Sequence, residues 1–208
     1  MLLKADHISF RYTEKLPWIL KDISLEFREG ERTAIVAPSG YGKSTLAKIL
    51  AGYEKASDGQ VLLDGKPLPE RGFCPVQMVY QHPELAVNPR WKMEKILKEC
   101  WEPDQELLDR MGIEKSWLTR WPSELSGGEL QRFCIARILS PETRFLICDE
   151  ITTMLDVITQ AQIWKLLLEI SEKRNLGMLV ITHNMALAKR VCTRIINLQE
   201  MQTAGRKS

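Results

Sequence analysis

Lys43, Ser44 and Thr45 close the stretch Ala37-Pro38-Ser39-Gly40-Tyr41-Gly42-Lys43-Ser44-Thr45, which runs from an apolar segment, Thr33 to Val36, into helical spacing at Leu46, Ile49 and Leu50. Residues of these types in this order suit a phosphate group. Small residues let backbone N–H groups curl around an anion, and the start of the following helix adds its dipole and unpaired donors. In the pattern G-x-x-x-x-G-K-[ST], the lysine reaches the outer phosphates of a nucleotide and the hydroxyl of Ser44 serves a Mg²⁺ held by the same phosphates. The first glycine of that pattern is Ala37 here. Because Pro38 follows, Ala37 is biased toward extended backbone, which alanine adopts as readily as glycine, so the loop is expected to form.

Further residues could act on a phosphate. Phe145-Leu146-Ile147-Cys148 is an apolar strand that ends in Asp149 and Glu150. Asp149 is placed to meet Mg²⁺ directly or through water, and Glu150 to take a proton from an attacking water. Paired acids at a strand end are in isolation as often a solvated turn, but behind the lysine loop the catalytic reading gains. His183 follows the apolar strand Met178 to Thr182, at the edge where open parallel sheets carry ligands, and a neutral imidazole there could orient a water. Gln81, directly after the strand Val76 to Tyr80, could approach the same cation and sense a terminal phosphate. Ser126 and Glu129 have capping-box spacing ahead of Leu130, Phe133, Cys134 and Ile138. Between them Gly127 and Gly128 bare a second helix start to an anion, far along the chain from Lys43.

These groups must be positioned by an α/β scaffold. Strand-like runs span Leu2 to Tyr12 and Ile19 to Phe27, with Ile23, Leu25 and Phe27 alternating, and a turn at Glu29-Gly30-Glu31 leads into the strand before the loop. Gly52 ends the loop's helix, and Asp58-Gly59 and Asp64-Gly65 flank a short strand, Gln60 to Leu63. From Glu84 to Ser123 the texture turns helical, with pieces over Trp91 to Trp101 and Pro103 to Met111. The second is expected to open on a first-turn proline and to stop at Gly112. This region holds Trp91, Trp101, Trp117 and Trp121, of which an exposed subset would mark a docking surface. A long amphipathic helix is expected from Leu155 to Arg174, then a helix from Met185 to Val191, a strand from Arg194 to Leu198 and a polar tail.

A chain of 208 residues with 44% hydrophobic residues can bury one sizeable core. Its formal charge of +2, from 29 basic and 27 acidic side chains, gives no global pull toward nucleic acid. The five cysteines lack metal-ligand spacing and read as buried free thiols in a reducing compartment. No secretory leader is evident at Met1 to Asp6, and no run approaches the roughly 18 apolar residues of a membrane span. A cytoplasmic chain is therefore expected, with any membrane role peripheral.

Taken in order, the lysine loop, Gln81, Leu125-Ser126-Gly127-Gly128-Glu129, Asp149-Glu150, Leu155-Asp156 and His183 resemble the nucleotide-binding subunit of ATP-binding cassette (ABC) transporters over nearly the whole chain. The resemblance implies a single ABC ATPase domain over 1–208. Residues 1–82 and 124–208 would form a P-loop NTPase core, with a mixed, mainly parallel sheet and an N-terminal antiparallel β portion. Residues 83–123 would form an inserted α-helical subdomain continuing into the signature helix. It implies ATP and Mg²⁺ as ligands, with Pro38, Ser39, Gly40, Tyr41, Gly42, Lys43, Ser44 and Thr45 on the phosphates and Ser44, Gln81 and Asp149 toward the metal. Tyr12 would stack on adenine, and Glu150, His183 and Gln81 would serve catalysis. Ser126 to Glu129 would be the signature that meets nucleotide across a dimer, and Asp156 a dimer-contact aspartate.

Gln81-His82-Pro83 with Val87-Asn88-Pro89-Arg90, and Pro122-Ser123-Glu124 ahead of the signature, resemble the peptide and nickel importer branch. The sequence departs from the family at Ala37, at Ile151 where proline is usual, and at Thr153-Met154 where serine and alanine are usual. The implied partners are transmembrane permease subunits, a second ABC ATPase subunit that is identical or related, and indirectly a solute-binding protein, at the cytoplasmic face of the membrane. No nucleic acid is expected. A soluble ABC ATPase of the DNA-repair type would need a long coiled coil between residues 46 and 125, where no heptads run. A weakly hydrolysing nucleotide sensor would draw on Ala37 and Ile151, against which Glu150 and His183 stand.

Overall fold

The computed structural model describes residues 1–153 and 155–204. Its elements in order are β1 (Leu2–Phe10), β2 (Leu20–Arg28), β3 (Arg32–Val36), α1 (Lys43–Leu50), β4 (Asp58–Leu63), β5 (Lys66–Pro67) and β6 (Val76–Val79). There follow α2 (Met93–Leu97), α3 (Gln105–Arg110), α4 (Gly127–Ile138), β7 (Phe145–Asp149), α5 (Val157–Arg174), β8 (Gly177–Ile181), α6 (Met185–Val191), β9 (Arg194–Asn197) and α7 (Leu198–Ala204).

The strands divide between two sheets. An antiparallel sheet has the order β2-β1-β4-β5, and a five-stranded parallel sheet has the order β6-β7-β8-β3-β9. The expected mixture of strand directions is thus real, but it lies between sheets rather than within one. Alternation along β7 and β8 shows how the parallel sheet is used. Phe145, Ile147, Leu179 and Ile181 face a core shared with α1 and the antiparallel sheet, where Leu46, Leu50, Leu3 and Phe27 are buried. Leu146, Cys148, Met178 and Val180 face the opposite core, built with α4, α5 and the short helices between residues 83 and 124. With both faces covered, the sheet can offer ligands only its strand ends. Parallel pairing brings those ends to one edge, because Asp149 pairs with Ile181 and Ile181 with Ile35.

Several elements differ in detail from the sequence expectation. Pro103 precedes α3 rather than opening it: the N-cap is Asp104, whose carboxylate accepts from the Leu107 N–H at 2.8 Å. The first helical piece after residue 90 is only the five residues of α2. Leu155 lies outside α5, which begins behind the Asp156 cap. The expected polar tail opens as α7, whose Leu198 is fully buried and whose Met201 packs on the same core, an i, i+3 apolar pair in a mostly polar segment. Cys134 and Cys148 are buried as expected, Cys74 and Cys192 half-buried, and Cys100 exposed. Of the tryptophans between residues 84 and 123, Trp117 is buried and Trp121 is exposed. Met154, one of the departures from the family pattern, lies outside the described residues. Among the described residues, no helix is long and apolar enough to cross a membrane.

Gly177, at the start of β8, is held by close packing. A Cβ there would overlap the ring of the fully buried Phe145 and lie 3.0 Å from the Arg28 carbonyl oxygen. Gly177→Ala should therefore lower stability by about 1–3 kcal/mol, the usual cost of overpacking a filled core. A urea-unfolding midpoint equal to wild type would contradict this packing.

Candidate functional site

The loop between β3 and α1 owes its shape to two glycines with left-handed backbone. Gly40 has φ 84° and Gly42, the N-cap of α1, has φ 82°. A Cβ on Gly42 would also stand 2.8 Å from the Ile19 Cγ2 and 3.2 Å from the Ile19 carbonyl oxygen, so side chains are excluded twice over. Ala37 is 8% exposed, is packed in the core and is not among the non-glycine residues of positive φ. The alanine is accommodated as its place before Pro38 suggests. Its carbonyl and that of Pro38 accept from the buried Lys43 ammonium, at 2.8 and 3.0 Å. Two of the three ammonium donors thus hold the loop, leaving one for a ligand.

The start of α1 is left without a counter-charge. Gly42 offers no side-chain cap, and the first turn has no acidic residue. The N–H groups of Lys43, Ser44 and Thr45 find no acceptor among the described residues. This helix end, with its positive dipole, suits an anion. Around it lies a cavity of about 440 Å³ lined by Tyr12, Ile19, Ser39, Gly40, Gly42, Lys43, Ser44, Thr45, Gln81 and Glu150. Tyr12 is 63% exposed and stands edge-on to Phe10 with ring centres 5.2 Å apart, leaving it room to take a planar group. Pro38 and Tyr41 belong to the same loop without lining the cavity.

The ends of β7 and β8 supply the titratable groups. Glu150 sits in left-handed backbone at φ 50° and donates its N–H to the Ile181 carbonyl at 3.0 Å; its own carbonyl accepts from the Thr153 hydroxyl, also at 3.0 Å. A non-glycine residue held there marks a constrained site, since the backbone cost must be offset by such anchors. Its carboxylate meets the His183 Nδ1 at 2.9 Å. Ile151, where the family usually has proline, is a core residue at 3% exposure.

Asp149 is 5% exposed, and its Oδ1 has no hydrogen-bond partner among the described residues. Burial pushes its carboxyl above the usual carboxylate range, helped by the Glu150 charge and opposed by the Ser44 hydroxyl and the Lys43 ammonium. A carboxylate with one orphaned oxygen, within the influence of the Ser44 hydroxyl, is a donor set that fits a hard divalent cation. No group of three or more His, Cys, Asp or Glu that could hold a metal exists among the described residues, so phosphate oxygens or water would have to complete the shell.

Ser126 to Glu129 are elsewhere. The capping box forms as the spacing predicts: the Ser126 hydroxyl accepts from the Glu129 N–H at 3.3 Å, and the Ser126 N–H donates to the Glu129 carboxylate at 2.6 Å. These residues line a separate cavity of about 580 Å³ with Trp117, Arg132, Leu155, Asp156 and Thr159. Gly127 opens onto free space, whereas a Cβ on Gly128 would press Leu155 at 2.9 Å. Asp156 caps α5, accepting from the Ile158 and Thr159 N–H groups at 3.0 Å each, and these bonds with the Thr159 hydroxyl hold its carboxyl below the usual range. The chain therefore gathers the lysine loop, Tyr12, Gln81 and the Asp149-Glu150-His183 cluster, but not Ser126 to Glu129 or Asp156.

Two contributors were not singled out in the sequence. Ile19 forms part of the cavity wall, and Gln202 of α7 donates to the Ile19 and Tyr41 carbonyls at 3.2 Å each, bracing the loop from outside. The apolar spacing of Leu198 and Met201 was the available signal for that helix.

Comparison with known proteins agrees with this geometry. A family model described as ABC transporter matches residues 20–153. The nickel import system ATP-binding protein NikE of Staphylococcus aureus (strain MSSA476) is 35% identical over 213 aligned positions, covering 96% of this chain and 87% of the relative. The nickel import ATP-binding protein NikE of Escherichia coli (strain K12) is 34% identical, covering 91% of this chain and 80% of the relative. The dimeric structure of a post-hydrolysis state of the ATP-binding cassette MJ0796, bound to ADP and Pi, superposes with a TM-score of 0.78 at 26% identity, covering 94% of this chain and 93% of that one.

The Asp149 geometry has a measurable consequence. A carboxyl whose folded-state pKa is raised holds its proton more tightly folded than unfolded, so it costs stability once the pH exceeds the ordinary value of 3.8 and costs nothing well below it. Asp149→Asn, measured without nucleotide or metal, should raise the melting temperature at pH 7.5, with the gain shrinking as the pH is lowered toward 3.8. A variant less stable than wild type at pH 7.5, or a gain independent of pH, would contradict the buried, unpaired carboxylate.

Proposed function

The chain belongs to the ABC transporter ATP-binding family and is an ATP-hydrolysing subunit of a transporter; from that premise we propose that it drives an importer of the nickel or peptide type from the cytoplasmic face of the membrane. The observation that carries the site assignment is the convergence of the uncapped α1 start, Lys43, Tyr12, Gln81 and Glu150 on one cavity. In this reading the N–H groups of residues 40–45 and the free donor of Lys43 hold the phosphate chain, and Tyr12 covers the base. Ser44 and Asp149, with Gln81, hold Mg²⁺. The cation supplies charge neutralisation at the phosphate oxygens.

The remaining roles belong to Glu150 and His183. Glu150 accepts the proton of the attacking water at its carboxylate, and its left-handed backbone and anchors to Ile181 and Thr153 aim that carboxylate into the cavity. His183, through its 2.9 Å contact, fixes the orientation of the carboxylate that lines the cavity. Ser126 to Glu129 and Asp156 act on the nucleotide of a facing cassette, identical or related, because they line a different cavity. Residues 1–82 and 124–208 form the nucleotide core, and residues 83–123 a helical subdomain that carries permease contacts such as the exposed Trp121. The importer reading rests on the similarity to nickel import proteins and on the segments around Gln81 and before Ser126.

Glu150→Gln keeps the shape and the His183 contact while removing the base. Mg·ATP binding, read by calorimetry, should stay within a few-fold of wild type, and turnover should fall by roughly 10²–10⁴-fold. In cells the same variant should lose uptake of whichever cargo, nickel ion or short peptide, the wild-type chain restores. Turnover near wild type would remove Glu150 from the role of base.

A further inference from the structure

The turn that leaves Glu150 is held by a tryptophan of α5. The Trp164 indole Nε1 donates to the Thr152 hydroxyl at 3.2 Å, and both residues are buried. Four residues earlier on the same helix, the Gln160 Nε2 donates to the Leu155 carbonyl at 2.9 Å. Residues four apart share a helix face, so one face of α5 clasps the turn at two points. Gln160 and Trp164 also wall a cavity of about 90 Å³ that Glu150 and His183 line with them.

The turn needs such a clasp. Glu150 stands in left-handed backbone, which a residue with a Cβ keeps only when its surroundings enforce it. Thr153 bonds the Glu150 carbonyl twice, from its N–H at 3.2 Å and its hydroxyl at 3.0 Å, which tightens the turn without fixing it to another element. A proline at 151, usual in the family, would lock φ there, and isoleucine does not. Ile151 is held in the core by apolar packing, which sets no direction. The directional tie is the Thr152 hydroxyl, two residues from the base. Its donor, an indole N–H, has no acceptor role and must find a partner when buried. We infer that Trp164 is a positioning residue for Glu150: through the Thr152 hydroxyl it fixes the turn that aims the carboxylate, supplying the stiffness that a proline at 151 would give.

This inference rests on the proposed role of Glu150 as the base. Within that reading its consequence is specific. Trp164 does not line the nucleotide cavity, so loss of its N–H should leave ATP binding intact and lower only the rate of hydrolysis. Trp164→Phe is the suitable probe, since it keeps an aromatic ring in the core and removes the donor. Thr152→Val removes the acceptor at nearly constant volume and decides the matter should the phenylalanine fail to fold. Thr152→Ser keeps the hydroxyl and serves as the conservative variant.

ATP hydrolysis by the assembled transporter separates the outcomes. Trp164→Phe and Thr152→Val should each lower kcat by roughly 5- to 50-fold, in the range that misplacing a catalytic group costs, with KM for ATP within about twofold of wild type. Thr152→Ser should recover most of the loss seen in Thr152→Val. Because Trp164 acts through Glu150, adding Trp164→Phe to Glu150→Gln should leave the residual single-turnover rate within about twofold. A Trp164→Phe or Thr152→Val kcat equal to wild type, beside an inactive Glu150→Gln, overturns the positioning role. So does an equal fractional loss in the Glu150→Gln background, which would mark a general structural effect. Wild-type turnover in Glu150→Gln itself would instead overturn the assignment of the base beneath it.

Discussion

A carboxylate at the end of a strand buried on both faces is the constraint from which the site follows. β7 has every residue buried, so Asp149 cannot reach bulk water, and its Oδ1 lacks any partner among the described residues. Solvation lost by that oxygen must be returned from the sheet's edge. The edge holds what can return it: the Ser44 hydroxyl, the Lys43 ammonium and room for a ligand beside them. The parallel sheet makes this possible because all five strands run the same way, bringing the lysine loop, Gln81, Glu150 and His183 to one side.

α1 starts behind Gly42 and α4 starts at Gly127, and the two starts are built differently. α1 has no side-chain cap, no acidic first turn and unpaired N–H groups, and its first residue is Lys43. α4 is self-capped by Ser126 and Glu129 and carries a carboxylate in its first turn, which blunts its attraction for a free anion. The first is a site complete enough to hold phosphate, whereas the second needs a partner to bring it one. Their separate cavities within one chain give the physical reason for a shared nucleotide in the proposed pairing.

The features legible in the sequence were those set by local rules. Glycines before a lysine, a serine–glutamate capping box and an apolar strand ending in two acids each state their geometry in a few adjacent residues, and each forms as read. Less legible was whatever depends on distant partners. The division of strands into two sheets needs the β1 to β4 pairing, which joins residues as far apart in the chain as Leu3 and Leu63. α7 follows from docking Leu198 and Met201 on a core assembled from the rest of the chain. The Trp164 tie to Thr152 is invisible because a tryptophan on the apolar face of a helix reads as core until its acceptor is in place. At Pro103 the proline suggested a first-turn position, but the side-chain bond of Asp104 makes that residue the N-cap, so the helix starts two residues later, at Gln105.

The central claim is that one nucleotide is held between the Lys43 end of one cassette and the Ser126 end of another. Sedimentation of the Glu150→Gln chain with and without Mg·ATP, alone and with a sister cassette and permease, measures it most directly. The account predicts a nucleotide-dependent shift to the mass of a cassette pair, abolished by adding Ser126→Arg while Mg·ATP still binds the single chain. A Glu150→Gln chain that binds Mg·ATP yet stays unpaired in every mixture would contradict it.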